Sequence, residues 1–192
     1  MSNWNYKLTS SVPWNGSTST PEVVNNMWCA YQIFNTIMTK EAMAGMFGNI
    51  LRESYFNPGQ GQIGGGGGLG LIQWTPSTSL TNYISGTWYD GDNQCRFLIN
   101  DCNNQYGTRW IPTSTYNYSF AEFCQVTDVD LATKIFLACR ERAGVSALDL
   151  RLQYAHEFYE ILGGTPPTPV YNDASFLCLA KRHKTRLKKH RQ

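Results

Sequence analysis

Of the 14 aspartates and glutamates in the chain, Glu53 stands in the sequence context that best suits chemistry. It closes a helical pattern in which Met46, Asn49 and Ile50 fall on its own face. A carboxyl on the apolar side of a helix is desolvated, which favours its neutral form. A carboxyl kept neutral near physiological pH can protonate a leaving oxygen as a general acid. The same position also suits an ordinary helix-end glutamate, solvated or paired with Arg52. A partner carboxylate is hard to place nearby, because no Asp or Glu lies between Glu53 and Asp90. Asp90 and Asp92, on the loop Tyr89-Asp90-Gly91-Asp92, are the next candidates, and both also read as turn and N-cap residues.

Downstream of Glu53 the chain turns to glycine. Eight glycines fall between Gly59 and Gly70, five of them consecutive from Gly64 to Gly68, and Leu69, Leu71, Ile72, Gln73 and Trp74 follow. The segment reads as a small hairpin or looped β element. It is not a phosphate loop, since the Gly-Lys-Ser/Thr ending is missing and no helix pattern opens behind it. Six cysteines form no C-x-x-C pair, so a zinc site is not indicated, and buried free thiols are the expectation.

These residues need a scaffold, and periodicity supplies a largely helical one. Thr20 reads as an N-cap with Pro21 in the first helical turn, followed by Val24, Met27, Trp28, Tyr31, Phe34 and Met38 at helical spacing. A second helix starts after Thr39, carries Glu53, and is expected to stop before Pro58. Asp92 is expected to cap a helix bearing Cys95, Leu98, Ile99, Cys102 and Tyr106 on one face. Ser119-x-x-Glu122 is a capping box, and Leu131, Ile135, Phe136 and Cys139 mark a further helix. Ser146-x-x-Asp149 is expected to open the last one, with Gly163-Gly164 as its stop.

Charge divides the chain. The formal net charge is +2, yet residues 1–180 hold 9 Lys and Arg against all 14 acids, a balance of −5, and the last twelve residues hold 7 basic residues and no acid. The expected division is a loosely ordered arm over 1–19, a catalytic domain over 20–164, and over 165–192 a Pro-rich linker with a basic tail. That tail suits non-specific attraction to nucleic acid, anionic membrane or acidic wall polymers, or serves as a solvated end. The polar N-terminus lacks the apolar stretch of a secretion signal, which leads us to expect synthesis in a host cytoplasm. At 42% hydrophobic and 14% aromatic residues, the composition excludes general disorder.

Three blocks in order resemble one family. They are Ala44-Gly45-x-x-Gly48-Asn49-Ile50-x-x-Glu53-Ser54-x-Phe56-Asn57-Pro58, then Gly68-Leu69-Gly70-Leu71-Ile72-Gln73-Trp74-Thr75, then Phe136-Leu137-Ala138-Cys139-Arg140-Glu141-Arg142-Ala143-Gly144 with Asp149, Arg151, Tyr154 and Tyr159. Over about residues 20–163 the chain is similar to the phage tail lysozyme family and, more distantly, to soluble lytic transglycosylases and goose-type lysozymes. The resemblance implies an α+β, predominantly α-helical, lysozyme-like fold with a small Gly-rich β element. It implies a peptidoglycan-degrading glycosidase, a muramidase or lytic transglycosylase, that cuts the β-1,4 bond between N-acetylmuramic acid and N-acetylglucosamine. Glu53 would be the catalytic acid and Gln73 the groove amide, with Trp74 beside it and Tyr154 near the acid. Each keeps a structural reading: Gln73 as a polar strand residue, Tyr154 as core, and Glu141, which matches a recurrent family acid, as one half of an ion pair.

Trp74, Tyr83, Trp88 and Trp110 are candidates for stacking on sugar rings. No metal or cofactor is called for. The setting implied is a bacteriophage lysin, virion-associated or an endolysin, with peptidoglycan as substrate and other virion proteins as partners. The rival expectation is a non-enzymatic virion or wall-binding protein on the same scaffold. The sequence carries no signal of oligomeric state.

Overall fold

A computed structural model describes residues 2–143 and 147–163. The expected linker, the basic tail, Cys178, Gly164 and the Ser146 cap lie outside the described residues. The order of elements is α1 (Pro21–Phe34), α2 (Lys40–Ser54), α3 (Thr78–Thr81), α4 (Gly91–Cys102), α5 (Phe120–Phe123), α6 (Val129–Phe136), a π-helical turn (Leu137–Glu141) and α7 (Leu148–Leu162). The fold is predominantly helical, as expected. The β element is not formed as a ladder: only isolated bridges join Gly61 to Leu69 and Leu69 to Trp74. Four consecutive glycines, Gly64 to Gly67, take positive φ, which an L-residue ladder does not accommodate, so the segment loops instead of pairing.

Helix α2 is the centre of the molecule, packed chiefly against α7 and α6. Its N-cap Thr39 accepts from the Ala42 amide, and nearly every residue from Ala42 to Leu51 is buried. Two glycines permit the approach of its neighbours. A Cβ at Gly45 would lie 2.6 Å from the Thr133 nitrogen on α6, and one at Gly48 would lie 2.5 Å from the Arg151 carbonyl oxygen on α7. Phe47 then meets Phe34, Phe56 and Phe158 edge-on to complete the core. The helix ends at Ser54, earlier than Pro58 alone requires, because Tyr55 and Phe56 both adopt left-handed φ, 56° and 58°.

Three boundaries differ from expectation, the first being the end of α4 at Cys102, short of Tyr106. Asp90, not Asp92, is the N-cap of α4, accepting from the Asn93 amide. Met38 lies beyond the end of α1 but is still buried in the core. The capping box at Ser119 and Glu122 is formed as expected.

The N-terminal arm is tied down rather than loose. The Ser2 amide and Trp4 Nε1 donate to the Asp92 carboxylate at 3.0 and 2.8 Å. Buried Asn26 exchanges hydrogen bonds with the Asn5 backbone, and buried Asn57 does the same with Lys7. Trp14 Nε1 donates to the Tyr55 carbonyl at 2.8 Å, and the Thr18 hydroxyl donates to Glu157. Side-chain amides thus satisfy the polar backbone of the arm, a requirement for any irregular segment laid against a core. Among the described residues the five cysteines are all free and buried. Burial pushes the Cys29 thiol up to about 11 and that of Cys124 up to about 12.

Candidate active site

The end of α2, the glycine-rich loop and the π-helical turn converge on one cleft of about 480 Å3. Its walls include Glu53, Tyr55, Gln62, Gln73, Trp74 and Glu141, with four arginines, Arg52, Arg109, Arg140 and Arg142. Three wall residues, Tyr55, Gln73 and Arg142, hold left-handed backbone conformations. Such strain persists only where surrounding contacts fix it, and it gathers at functional sites.

Glu53 keeps 20% of its side chain exposed in this cleft. Its apolar face is only part of its environment, because Arg151 on α7 reaches across and donates Nη2 to Glu53 Oε1 at 2.5 Å. Arg151 is itself 2% exposed and is aimed by Asn49, whose Oδ1 accepts from its Nη1 at 3.0 Å. Asn49 is fixed in turn by donating to the Gly45 and Thr133 carbonyls. The chain Thr133–Asn49–Arg151–Glu53 therefore links all three central helices to one carboxylate. Arg52, the neighbour that sequence offered as an ion-pair partner, is exposed and makes no such bond.

Glu141 is the second carboxyl in the cleft. The residue is half-buried, but its Oε1 is closed off from solvent and has no hydrogen-bond partner among the described residues. Burial first, and then the charge of Glu53 facing it, push this carboxyl up to about 8, against the pull of Arg140, Arg151 and Arg142. A carboxyl that stays protonated at neutral pH, in a cleft and beside another carboxylate, is the pattern by which functional acids are recognised.

Opposite lies a buried ion-pair network. Asp101 on α4, 1% exposed, accepts from Arg140 Nη2 at 2.5 Å and from Trp74 Nε1 at 3.0 Å, with Arg109 Nε at 3.7 Å. Asp101 thereby holds the residue next to Glu141 and one wall of the cleft together. Gln73 lines the cleft, but its amide nitrogen donates to the Gln60 and Gly70 carbonyls, so it also pins the glycine-rich loop.

The remaining candidates fall elsewhere. Asp90 caps α4 and Asp92 binds the arm, and neither is among the residues lining the cleft. Tyr154 is half-buried beside Tyr55 and Arg52 and does not line it either; burial, then the charge of Glu157, push its phenol up. Of the four aromatic candidates only Trp74 forms part of the wall. Trp110 is core, packed against Phe120, Phe123 and Phe136, while Tyr83 stacks on Phe97 and Tyr106 around a smaller hollow. Asp101 and Arg109 escaped the sequence reading. The test that picked out Glu53 would have found Asp101, which shares a helical face with Phe97 and Leu98.

Among the described residues no three His, Cys, Asp or Glu side chains gather as metal ligands. No described helix is long and apolar enough to cross a membrane.

The sequence model of the phage tail lysozyme family matches residues 25–162, which takes in Glu53, the glycine-rich loop, Glu141 and Arg151. The chain belongs to the phage tail lysozyme family. Its helical architecture is the lysozyme-like one that membership implies. The family member is also 33% identical, over 140 residues, to Morphogenesis protein 1 of Bacillus phage B103. That alignment covers 69% of this chain but 37% of the relative, so the chain spans little more than a third of the relative's length.

Proposed function

We propose that the cleft cleaves the glycan strands of peptidoglycan between N-acetylmuramic acid and N-acetylglucosamine. The observation that carries the reading is the pair of unlike carboxyls in one cleft: Glu53, partly open to solvent and aimed by Arg151, and Glu141, half-buried with one solvent-closed oxygen and its carboxyl pushed up to about 8. Glu53, the more accessible member, delivers the proton to the glycosidic oxygen. The C1–O bond breaks with its electron pair passing to that oxygen, leaving an oxocarbenium-like sugar. The resulting Glu53 carboxylate then takes a proton from the group that attacks C1. If water attacks, the product has a reducing end; if the sugar's own 6-hydroxyl attacks, a 1,6-anhydro ring closes. Gln73 and Trp74 line the same cleft as Glu53 and would contact the sugar, whereas Tyr154 does not line it. Asp90 and Asp92, committed to a cap and to the arm, take no part.

The relative's name favours a second reading, a virion-assembly part on the lysozyme scaffold. On either reading the setting is a bacteriophage particle, with other virion proteins as neighbours and the tail over 181–192 as an electrostatic contact. Clearing of purified cell walls separates the two: wild type clears them under the first and leaves them turbid under the second. Removal of residues 181–192 is expected to leave cleavage of soluble glycan fragments intact.

A further inference from the structure

Residues 1–180 contain nine lysines and arginines in a segment whose net charge is −5. Five of the nine stand at one place. Arg52, Arg109, Arg140 and Arg142 line the cleft and Arg151 lies directly behind Glu53, and all five are arginine, whereas the three lysines lie elsewhere. Structure accounts for three of them: Arg151 aims Glu53, while Arg140 and Arg109 hold Asp101. It does not account for Arg52 and Arg142. Both are exposed at the cleft, and neither side chain makes an ion pair or hydrogen bond among the described residues.

We infer that Arg52 and Arg142 bind carboxylate groups of the substrate, so that the cleft selects a carboxylate-bearing glycan, the muramoyl-peptide strand, over a neutral one. The inference rests on the glycosidase reading above. The chemistry runs from charge to selectivity. A planar guanidinium offers paired donors matched to a carboxylate, and an N-acetylated sugar backbone carries no group that uses them. A muramoyl-peptide strand does, through the free carboxylates of its peptides, or through the lactyl carboxylate wherever the peptide is absent. With Glu141 neutral, the acids of the cleft do not cancel its cations, so the site stays positive within an acidic body. A positive cleft raises the local concentration of an anionic strand, and the effect falls with added salt.

Binding of soluble glycan–peptide fragments, measured by calorimetry on Glu53→Gln protein so that nothing is cut, tests this directly. One sample keeps the carboxylates of its peptides, a second has them converted to amides, and a third has its peptides removed, which frees the lactyl carboxylate. The expected result is on the order of tenfold weaker binding of the amidated sample, which is what about one and a half kilocalories per mole amounts to. Adding R52Q or R142Q should bring the ratio of affinities toward one, and R142K, which keeps the charge but loses the paired donors, should restore only part of it. The third sample shows which carboxylates the site accepts: binding like the first means that it takes a lactyl carboxylate as well as those of the peptide, and binding like the second means that it takes the peptide's carboxylates alone. Equal affinity for carboxylate and amide samples, an unchanged ratio in both glutamine variants, or no binding at all overturns the inference. Should selective binding occur while wild type cuts nothing, the glycosidase reading fails and the carboxylate site stands. If wild type cuts without the preference, only this inference fails.

Discussion

At the scale of single residues, the decisive pairing is Glu53 with Glu141, and the two differ by environment rather than type. Arg151 occupies one oxygen of Glu53, whereas Glu141 has a solvent-closed oxygen with no partner. The second fact has a thermodynamic consequence. Because the folded carboxyl titrates at about 8 against an ordinary 4.5, the folded state holds an extra proton across that interval. Stability contributed this way is complete below 4.5 and is lost as pH rises toward 8. Glu141→Gln removes the titration, so the variant should gain on wild type as pH is raised from 5 to 8, read as a widening gap between urea midpoints. A gap that stays constant over that range would contradict the burial argument.

At the scale of elements, α2 positions everything else. Gly48 lets the α7 backbone approach closely enough for Arg151 to reach Glu53. On an open helix Gly→Ala is stabilising by up to about 1 kcal/mol. Here the new Cβ meets a backbone oxygen at 2.5 Å, so Gly48→Ala should cost roughly 1–3 kcal/mol through overpacking. Chemical denaturation decides the sign, and a stabilised variant would refute the packing account.

This same scale shows what the sequence made legible. Glu53 and the helix that carries it were readable, because helical phase is local and the Gly-x-x-Gly-Asn block lies on the same turns. The pairing of Asp101 with Arg140 and of Arg151 with Glu53 was not, since the partners lie 39 and 98 residues apart in sequence. Asp90 and Asp92 were read as possible catalysts or as turn and cap residues, and the cap reading holds for Asp90. The glycine run reads as a small hairpin or a looped β element, and successive positive φ values go with the looped form.

At the scale of the whole molecule, the N-terminal arm does structural work that its Ser-, Thr- and Asn-rich composition conceals. It satisfies Asn26, Asn57 and Asp92 and fixes the Tyr55 carbonyl at the lip of the cleft. Removing residues 1–14 would strip partners from several buried polar groups, at about 1 kcal/mol or more for each. A fall in melting temperature of roughly 10 °C is expected for a domain of this size, measured by calorimetry. An unchanged melting temperature would return the arm to the status of a loose leader. The overall charge of +2 likewise conceals its arrangement: acidic over the body, positive at the cleft, and basic in the tail.

All three scales meet in the claim that the chain cuts glycan strands through Glu53. Mass spectrometry of the soluble fragments released from purified peptidoglycan tests that most directly, with wild type beside Glu53→Gln. The expected result is release of muropeptides by wild type, ending in either reducing or 1,6-anhydro muramic acid, and at least a hundredfold less from the variant, within the usual range for losing a general acid. Equal release by the two proteins, or none from wild type, would contradict it.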